Sequence, residues 1–140
     1  MGEVRVDTII EASPEDVWEV LSDIGGWGDW NDVMIDGRCD RGEVGAVLSF
    51  RVRVGPTLLP IRARLMSWSP ARALVWGEDR GRILRIVHGF ELSAVEGGTC
   101  VVHAETFQGI IGRIVYKVAW RALEPNYARF LDALKQRVEG

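Results

Sequence analysis

The sequence has few cysteines and histidines and contains none of the common catalytic or cofactor-binding motifs. Its two cysteines, Cys39 and Cys100, lack CxxC spacing, so we interpret them as small core residues. Two histidines without ligand spacing predict no metal site. The sequence also lacks a Ser-His-Asp set, a phosphate-binding glycine loop, an HExxH pattern and an EF-hand. We therefore expect neither a metal nor a cofactor.

An excess of positive charge and a long apolar run are missing as well. The net charge is −3 and the pI is near 5.4, which argues against nucleic-acid binding. No apolar run approaches the roughly 18 residues of a membrane-spanning helix, and no signal peptide is evident. We expect a cytoplasmic protein without stable membrane insertion. Its 140 residues, 47% hydrophobic and 26% charged, predict a single globular domain over residues 1–140.

The C-terminal stretch from Arg113 to Val138 has helical periodicity. Beyond Pro125, apolar residues recur on one helical face: Tyr127, Leu131, Leu134 and Val138. The half before Pro125 is apolar nearly all round. We expect Pro125 to kink or restart the helix, because proline removes a hydrogen bond and clashes with the preceding turn. The rest of the chain is predicted to wrap this helix and to leave a cavity beside its first half.

The preceding chain alternates between turns and half-buried strands. Glu3 to Glu11 predicts a strand, Ser13-Pro14 an N-cap and helix start, and Trp27 to Asp32 a short plug at one end of the core. Five further strands are expected within residues 33–39, 46–54, 61–68, 73–78 and 82–92, and a last one at 99–108. Two short helices cannot cover both faces of these strands, so one curved antiparallel sheet should wrap the terminal helix.

The hairpin from Ala46 to Trp68 combines an apolar face with a basic one. If Gly55 faces Pro60, Phe50 lies opposite Leu65 and one face is entirely apolar. The other face then stacks Arg53 against Arg62 and Arg51 against Arg64. Carboxylates from a neighbouring strand could balance this solvated face, or it could dock an acidic partner or a membrane surface.

Several stretches carry a family pattern. Residues 12–18 (ASPEDVW) open the first helix, Trp30-Asn31 precedes Asp32 where a proline is usual, and residues 88–92 and 103–109 occupy the last hairpin. Together with the order of elements, they resemble the START-like superfamily, also called the SRPBCC or polyketide cyclase/dehydrase and lipid-transport group. The resemblance covers essentially the whole chain. It implies an α+β helix-grip fold, with a curved antiparallel sheet of about seven strands around a long C-terminal helix and two short helices after the first strand.

His88, His103 and Glu105 are the candidate catalytic residues. A histidine beside a carboxylate can act as a general acid or base, but these groups can also make purely structural contacts, with Glu105 binding an arginine. A two-residue loop at Gly97-Gly98 pairs Phe90 with Glu105 and gathers all three on one face. A three-residue loop starting at Glu96 sends the second histidine and the carboxylate to the opposite face from the first histidine.

These observations predict an internal apolar pocket between the concave sheet face and the first half of the C-terminal helix. The expected lining residues are Trp27, Trp30, Phe50, Val52, Leu65, Trp76, Ile86, His88, Phe90, Tyr116 and Trp120. Such a pocket predicts binding or carriage of a lipid, polyketide or other hydrophobic small molecule. One alternative is a cyclase, aromatase or dehydrase that uses the candidate catalytic residues. Another is an interaction module that uses the arginine face. The ligand is not specified, and a homodimer is left open.

Overall fold

The computed structural model describes residues 2–140, which form an antiparallel sheet, two α-helices and a 3-10 helix. In chain order the elements are β1 (Gly2–Ile10), α1 (Pro14–Leu21), the 3-10 helix (Ile24–Asp29), β2 (Met34–Cys39), β3 (Val47–Val54), β4 (Thr57–Ser69), β5 (Ala73–Asp79), β6 (Arg85–Val95), β7 (Gly98–Gln108) and α2 (Gly109–Glu139). The sheet order is β1-β7-β6-β5-β4-β3-β2. This architecture confirms the predicted helix-grip fold.

Helix α1 begins where the sequence predicts it. The Ser13 hydroxyl accepts a hydrogen bond from the Asp16 amide at 3.2 Å, and Pro14 occupies the first helical position. The 3-10 helix is then tied to α1 by Trp27, whose indole N–H donates to the Leu21 carbonyl at 2.9 Å. The Trp27 ring is fully buried. It therefore closes the core, as expected of the plug, and does not stand at a cavity mouth.

The β3–β4 hairpin closes more tightly than predicted. Gly55 has a positive φ of 57°, so Gly55-Pro56 forms a two-residue turn and Phe50 pairs with Ile61 in place of Leu65. The register differs by four residues, an even number, so the apolar side chains still share one face. The predicted arginine pairs are wrong, because Arg51 lies opposite Pro60.

The last hairpin also turns earlier than either predicted loop. Its two-residue turn is Glu96-Gly97, and Gly98 already pairs with Val95 in the sheet. Gly98 is needed in the strand because a side chain there would collide with the carbonyl of Ile10 in β1. Phe90 therefore pairs with His103, where either Glu105 or Ala104 was expected.

Helix α2 runs continuously from Gly109 to Glu139 with Pro125 inside it, so the chain does not restart a helix at the proline. Buried residues on both sides of the proline hold the helix in place: Leu123 packs in the core, and the Asn126 side-chain amide donates to the Arg53 carbonyl at 2.9 Å. The second half of α2 supplies most of its buried side chains. The first half, which was expected to be covered on more than one side, exposes Ile114 and other apolar side chains.

Asn31 is the hub of the link between the 3-10 helix and β2. Its side-chain amide donates to the carbonyls of Trp27 at 2.7 Å and Met34 at 3.0 Å. Its side-chain oxygen accepts from the amides of Val33 at 2.7 Å and Met34 at 2.9 Å. Asn31 thereby substitutes for backbone pairing at the point where the chain turns into the sheet.

We expect Asn31→Ala to lower the free energy of unfolding by about 2–4 kcal/mol, because four hydrogen bonds are lost and the main-chain groups lose their partners. Urea denaturation measures this change. The control is Asp29→Ala, an exposed position on the neighbouring turn that should change stability by less than about 0.5 kcal/mol. A similar small effect of Asn31→Ala would contradict the assigned role.

Candidate functional site

A cavity of about 240 Å3 lies between the concave face of the sheet and the second half of α2. Its polar lining includes His88, Glu105 and Tyr127, which lie together on one side, and its apolar lining includes Phe50 and Trp76. The complete lining comprises Phe50, Val52, Pro60, Ile61, Arg62, Ala63, Trp76, Gly77, Glu78, Ile86, His88, Glu105 and Tyr127.

The structure places five of the predicted lining residues at this cavity: Phe50, Val52, Trp76, Ile86 and His88. Six others do not line it: Trp27, Trp30, Leu65, Phe90, Tyr116 and Trp120. The cavity is therefore beside Tyr127 and not beside the first half of α2. Tyr116 lies over the backbone of Gly2 and contacts Phe107, so its side chain packs at the β1 edge of the sheet and not at the cavity.

A separation of two strands connects the cavity with the protein surface. Strands β4 and β5 pair from Ser69↔Ala73 to Arg64↔Gly77, with an irregularity between Leu65 and Ser67. In the described chain, β4 has no partner on the β5 side below Arg64, although it continues to pair with β3. The cavity is lined from both sides of this gap, on one side by the exposed Arg62. The gap is where the cavity meets solvent.

Four buried side chains form a connected row at the inner end of the cavity. The Tyr127 hydroxyl donates to Glu105 Oε1 at 2.5 Å, and Glu105 Oε2 lies 3.7 Å from His88 Nδ1. His88 Nε2 is 2.7 Å from Nε2 of His103, whose ring stacks on the Tyr127 ring. His103 is behind His88 and does not line the cavity. The three polar residues predicted as a set thus lie together on the concave face.

The β6–β7 register explains this convergence. His88 pairs directly with Glu105, and Phe90 pairs with His103. Because alternate residues of a strand share a face, the side chains of His88, His103 and Glu105 all project from the same face of the sheet. Glu105 was expected to bind an arginine if it had only a structural role, but its side chain contacts Tyr127 and His88. Sequence reasoning placed Tyr127 on the buried helix stripe without assigning it to the site. A tyrosine on such a stripe carries a hydroxyl group that needs a buried hydrogen-bond partner. This requirement could have identified Tyr127 as a site residue from the sequence.

Burial sets the protonation of the row. It raises the pKa of Glu105 to about 7, although the hydrogen bond from Tyr127 acts in the opposite direction. Burial lowers the pKa of His88 to about 3. The pKa of His103 falls well below its usual range through burial and the neighbouring His88, while the main chain of Tyr127 opposes this. Near neutral pH both histidines are uncharged, and Glu105 is the group that titrates.

The two histidines share one short hydrogen bond. Nε2 of His88 lies 2.7 Å from Nε2 of His103, so one of these nitrogens carries a proton and the other accepts it. Nδ1 of His88 faces the Glu105 carboxylate at 3.7 Å.

The four arginines of the β3–β4 hairpin are mostly engaged within the chain. Arg51 forms an ion pair with Asp36 at 2.5 Å. Arg53 donates to the Asp32 carbonyl at 3.0 Å, and Arg64 donates to the Gly45 carbonyl at 2.9 Å. Asp36 lies on the neighbouring strand β2. It is the balancing carboxylate that we expected if the arginine face is simply exposed to solvent.

Two other kinds of site are missing from the described part of the chain. Residues 2–140 contain no group of three or more His, Cys, Asp or Glu side chains placed to hold a metal ion. No helix among the same residues is both long and apolar enough to cross a membrane.

The comparison with protein families places this geometry in a known group. The family model for polyketide cyclase / dehydrase and lipid transport matches residues 1–139. The chain belongs to this family. This confirms the resemblance seen in the sequence. The search of curated proteins found no significant match.

Solved structures show the same fold. The TTHA0849 protein from Thermus thermophilus has a TM-score of 0.76 at 19% identity, covering 98% of this chain and 97% of that one. The Zhui aromatase/cyclase from Streptomyces sp. R1128 has a TM-score of 0.75 at 18% identity, covering 99% and 93%. The di-domain ARO/CYC protein StfQ from the steffimycin biosynthetic pathway has 0.76 at 10% identity, covering 98% of this chain and 50% of that one. At such identities the similarity concerns the fold alone.

The raised pKa of Glu105 predicts a specific pH dependence of stability. The folded state holds the carboxyl proton up to about pH 7, whereas the unfolded chain releases it near its ordinary pKa of 4.5. The folded state therefore binds more protons in this window, and its stabilisation, fully present below pH 4.5, is lost as pH rises through about 7. Relative to Glu105→Gln, wild type should lose up to about 3 kcal/mol across this range.

Urea denaturation of both proteins at a series of pH values measures the difference, in which the contributions of the two histidines cancel. Glu91→Gln, at an exposed carboxylate on β6, is the matched control and should follow the wild-type curve. Parallel curves for wild type and Glu105→Gln would contradict the raised pKa.

Proposed function

We propose that the chain binds a hydrophobic small molecule of one or two rings in the cavity beside Tyr127. The observation that carries this proposal is a partly open, mainly apolar cavity with buried polar groups at its inner end. Phe50 and Trp76 supply aromatic walls, and His88 and Glu105 supply the polar end. A ligand with a ring system and one carbonyl or hydroxyl group matches both parts.

The size of the cavity supports a compact ligand. An engineered apolar cavity of about 150 Å3 holds benzene, and drug-sized ligands occupy about 300–1,000 Å3. The cavity of about 240 Å3 lies between these values, which suits one or two fused rings. A longer lipid or an extended polyketide chain would need the β4–β5 gap to open further.

Binding of 2-naphthol, a bicyclic phenol, tests the proposal by calorimetry or by quenching of tryptophan fluorescence. Ala63 lines the cavity, so Ala63→Leu should fill part of it and weaken binding at least about tenfold while the fold is retained. Ala94→Leu, at an exposed position on β6, is the matched control and should bind like wild type. Equal binding by Ala63→Leu, or no binding of a panel of mono- and bicyclic compounds by wild type, would contradict this function.

A second candidate is a proton-transfer enzyme of the cyclase or dehydrase type. The observation that favours it is Glu105, which lines the cavity with a pKa of about 7 and is held by Tyr127 and His88. A general base works best when its pKa lies near the operating pH. As a carboxylate, Glu105 can take a proton from carbon next to a ligand carbonyl, leaving an enolate and a neutral acid. The acid then exchanges its proton with solvent, and transfer of a solvent-derived proton back to the carbon restores the ketone and the carboxylate.

This chemistry predicts exchange of the α protons of 2-tetralone, a bicyclic ketone, with solvent deuterium. Wild type should accelerate the exchange, and Glu105→Gln should reduce the rate by about a hundredfold or more. Proton NMR in D2O measures the rate, and saturation with 2-tetralone separates binding from chemistry. Glu91→Gln, at an exposed carboxylate on β6 outside the cavity, is the control and should exchange at the wild-type rate. Unchanged exchange in Glu105→Gln would exclude Glu105 as the base and leave the binding function standing.

A further inference from the structure

The first half of α2 presents an apolar patch to solvent. The patch consists of Ile110, Ile111, Ile114 and Val118 on the helix together with Ile83 in the loop before β6, and each side chain is between 46% and 81% exposed. The loop is attached to the helix, because the Ile111 amide donates to the Ile83 carbonyl at 2.9 Å. Contiguous exposed apolar side chains of this size mark an interaction surface.

A basic stripe runs beside the apolar patch. Arg113, Lys117 and Arg121 recur every fourth residue and are exposed, as is Arg82 in the adjoining loop. The segment from Gly109 to Leu123 contains these three basic residues and no acidic one. Successive residues on a helix lie about 100° apart, so each basic residue stands next to the apolar sector and away from the buried face. The helix therefore has a buried face, an exposed apolar face and a basic edge.

We propose that this surface docks reversibly on an anionic lipid bilayer, with the helix lying in the plane of the membrane. Interfacial helices combine an apolar face that enters the acyl boundary with Lys and Arg side chains that contact anionic headgroups. The chain as a whole has a net charge of −3, so its other surfaces gain no general attraction to such a membrane. The charge distribution therefore selects the orientation of docking.

A second copy of the chain fits this surface less well. A two-fold symmetric contact pairs the same surface on both subunits. When the two helices run antiparallel, the symmetry brings their basic edges to the same side of the contact, where Arg113 of one copy approaches Arg121 of the other and like charges repel each other. An anionic bilayer neutralises the same side chains.

Docking would bring the cavity close to the membrane. The loop that carries Ile83 joins β5 and β6, and Gly77, Glu78 and Ile86 on these strands line the cavity. The docking surface itself uses none of the cavity residues, so this inference stands independently of the proposed function.

Sedimentation with vesicles of pure phosphatidylglycerol and of pure phosphatidylcholine tests the proposal. Wild type should sediment with the anionic vesicles and stay in the supernatant with the zwitterionic ones. Ile114→Glu and Lys117→Glu should each weaken binding by about tenfold or more. Raising the salt concentration from about 0.1 M to about 1 M should release the protein, because the Debye length falls from about 10 Å to about 3 Å.

Two variants with the same chemistry elsewhere are the matched controls. Ile9→Glu changes an exposed isoleucine on β1, and Arg72→Glu changes an exposed arginine in the turn between β4 and β5; both should bind like wild type. Circular dichroism checks that each variant is folded. The proposal is overturned if wild type does not bind the anionic vesicles or if a control variant loses binding equally. It is also overturned if wild type is a dimer in ultracentrifugation that Ile114→Glu converts to a monomer.

Discussion

The pairing of β6 with β7 is the constraint on which the site depends. This register sets Glu105 directly opposite His88 and two residues from His103 on the same strand, and it turns all three side chains towards α2. Because these groups are buried, they depend on partners from the protein, and the Tyr127 hydroxyl supplies one for the carboxylate. The hydrogen bond between Tyr127 and Glu105 thereby connects the helix with the sheet and orients the carboxyl group at the cavity.

The sequence was sufficient for the architecture because local signals agreed with one another. The Ser13-Pro14 helix start, the alternation of the strands and the long periodic segment at the C-terminus all appear in the structure. The turns were less predictable. At Gly97-Gly98 either glycine can satisfy a tight turn, and what decides between them is the contact of Gly98 with β1, which is distant in sequence. Both hairpins nevertheless kept their apolar faces, since their registers satisfied the two-residue period of a strand.

The position of the cavity could not be predicted from helical periodicity alone. A segment that is apolar all round does not indicate which of its sides meets the sheet, and here Tyr116 settles over Gly2 while Ile114 faces solvent. Trp27 illustrates the same limit, since a large aromatic residue can fill a core or border a cavity. Family membership agrees with a ligand-binding interior, and the solved structures that share the fold include an aromatase/cyclase. The side chains that line the interior are what distinguish one member from another.

The cavity also separates two properties that many binding sites combine in one element. The end that carries His88, Glu105 and Tyr127 is built on β6, β7 and α2, while much of the opposite wall is the β3–β4 hairpin, whose strand β4 does not pair with β5 below Arg64. The hairpin pairs with β2 on its other side, and the side chain of Asn126 on α2 donates a hydrogen bond to the carbonyl of Arg53 in the hairpin. Changes in the length or tip of this hairpin would therefore alter which molecules fit without moving Glu105. The shape of the cavity and its polar end can diverge independently in such a scaffold, so related proteins could accept different ligands while they retain the same buried polar groups.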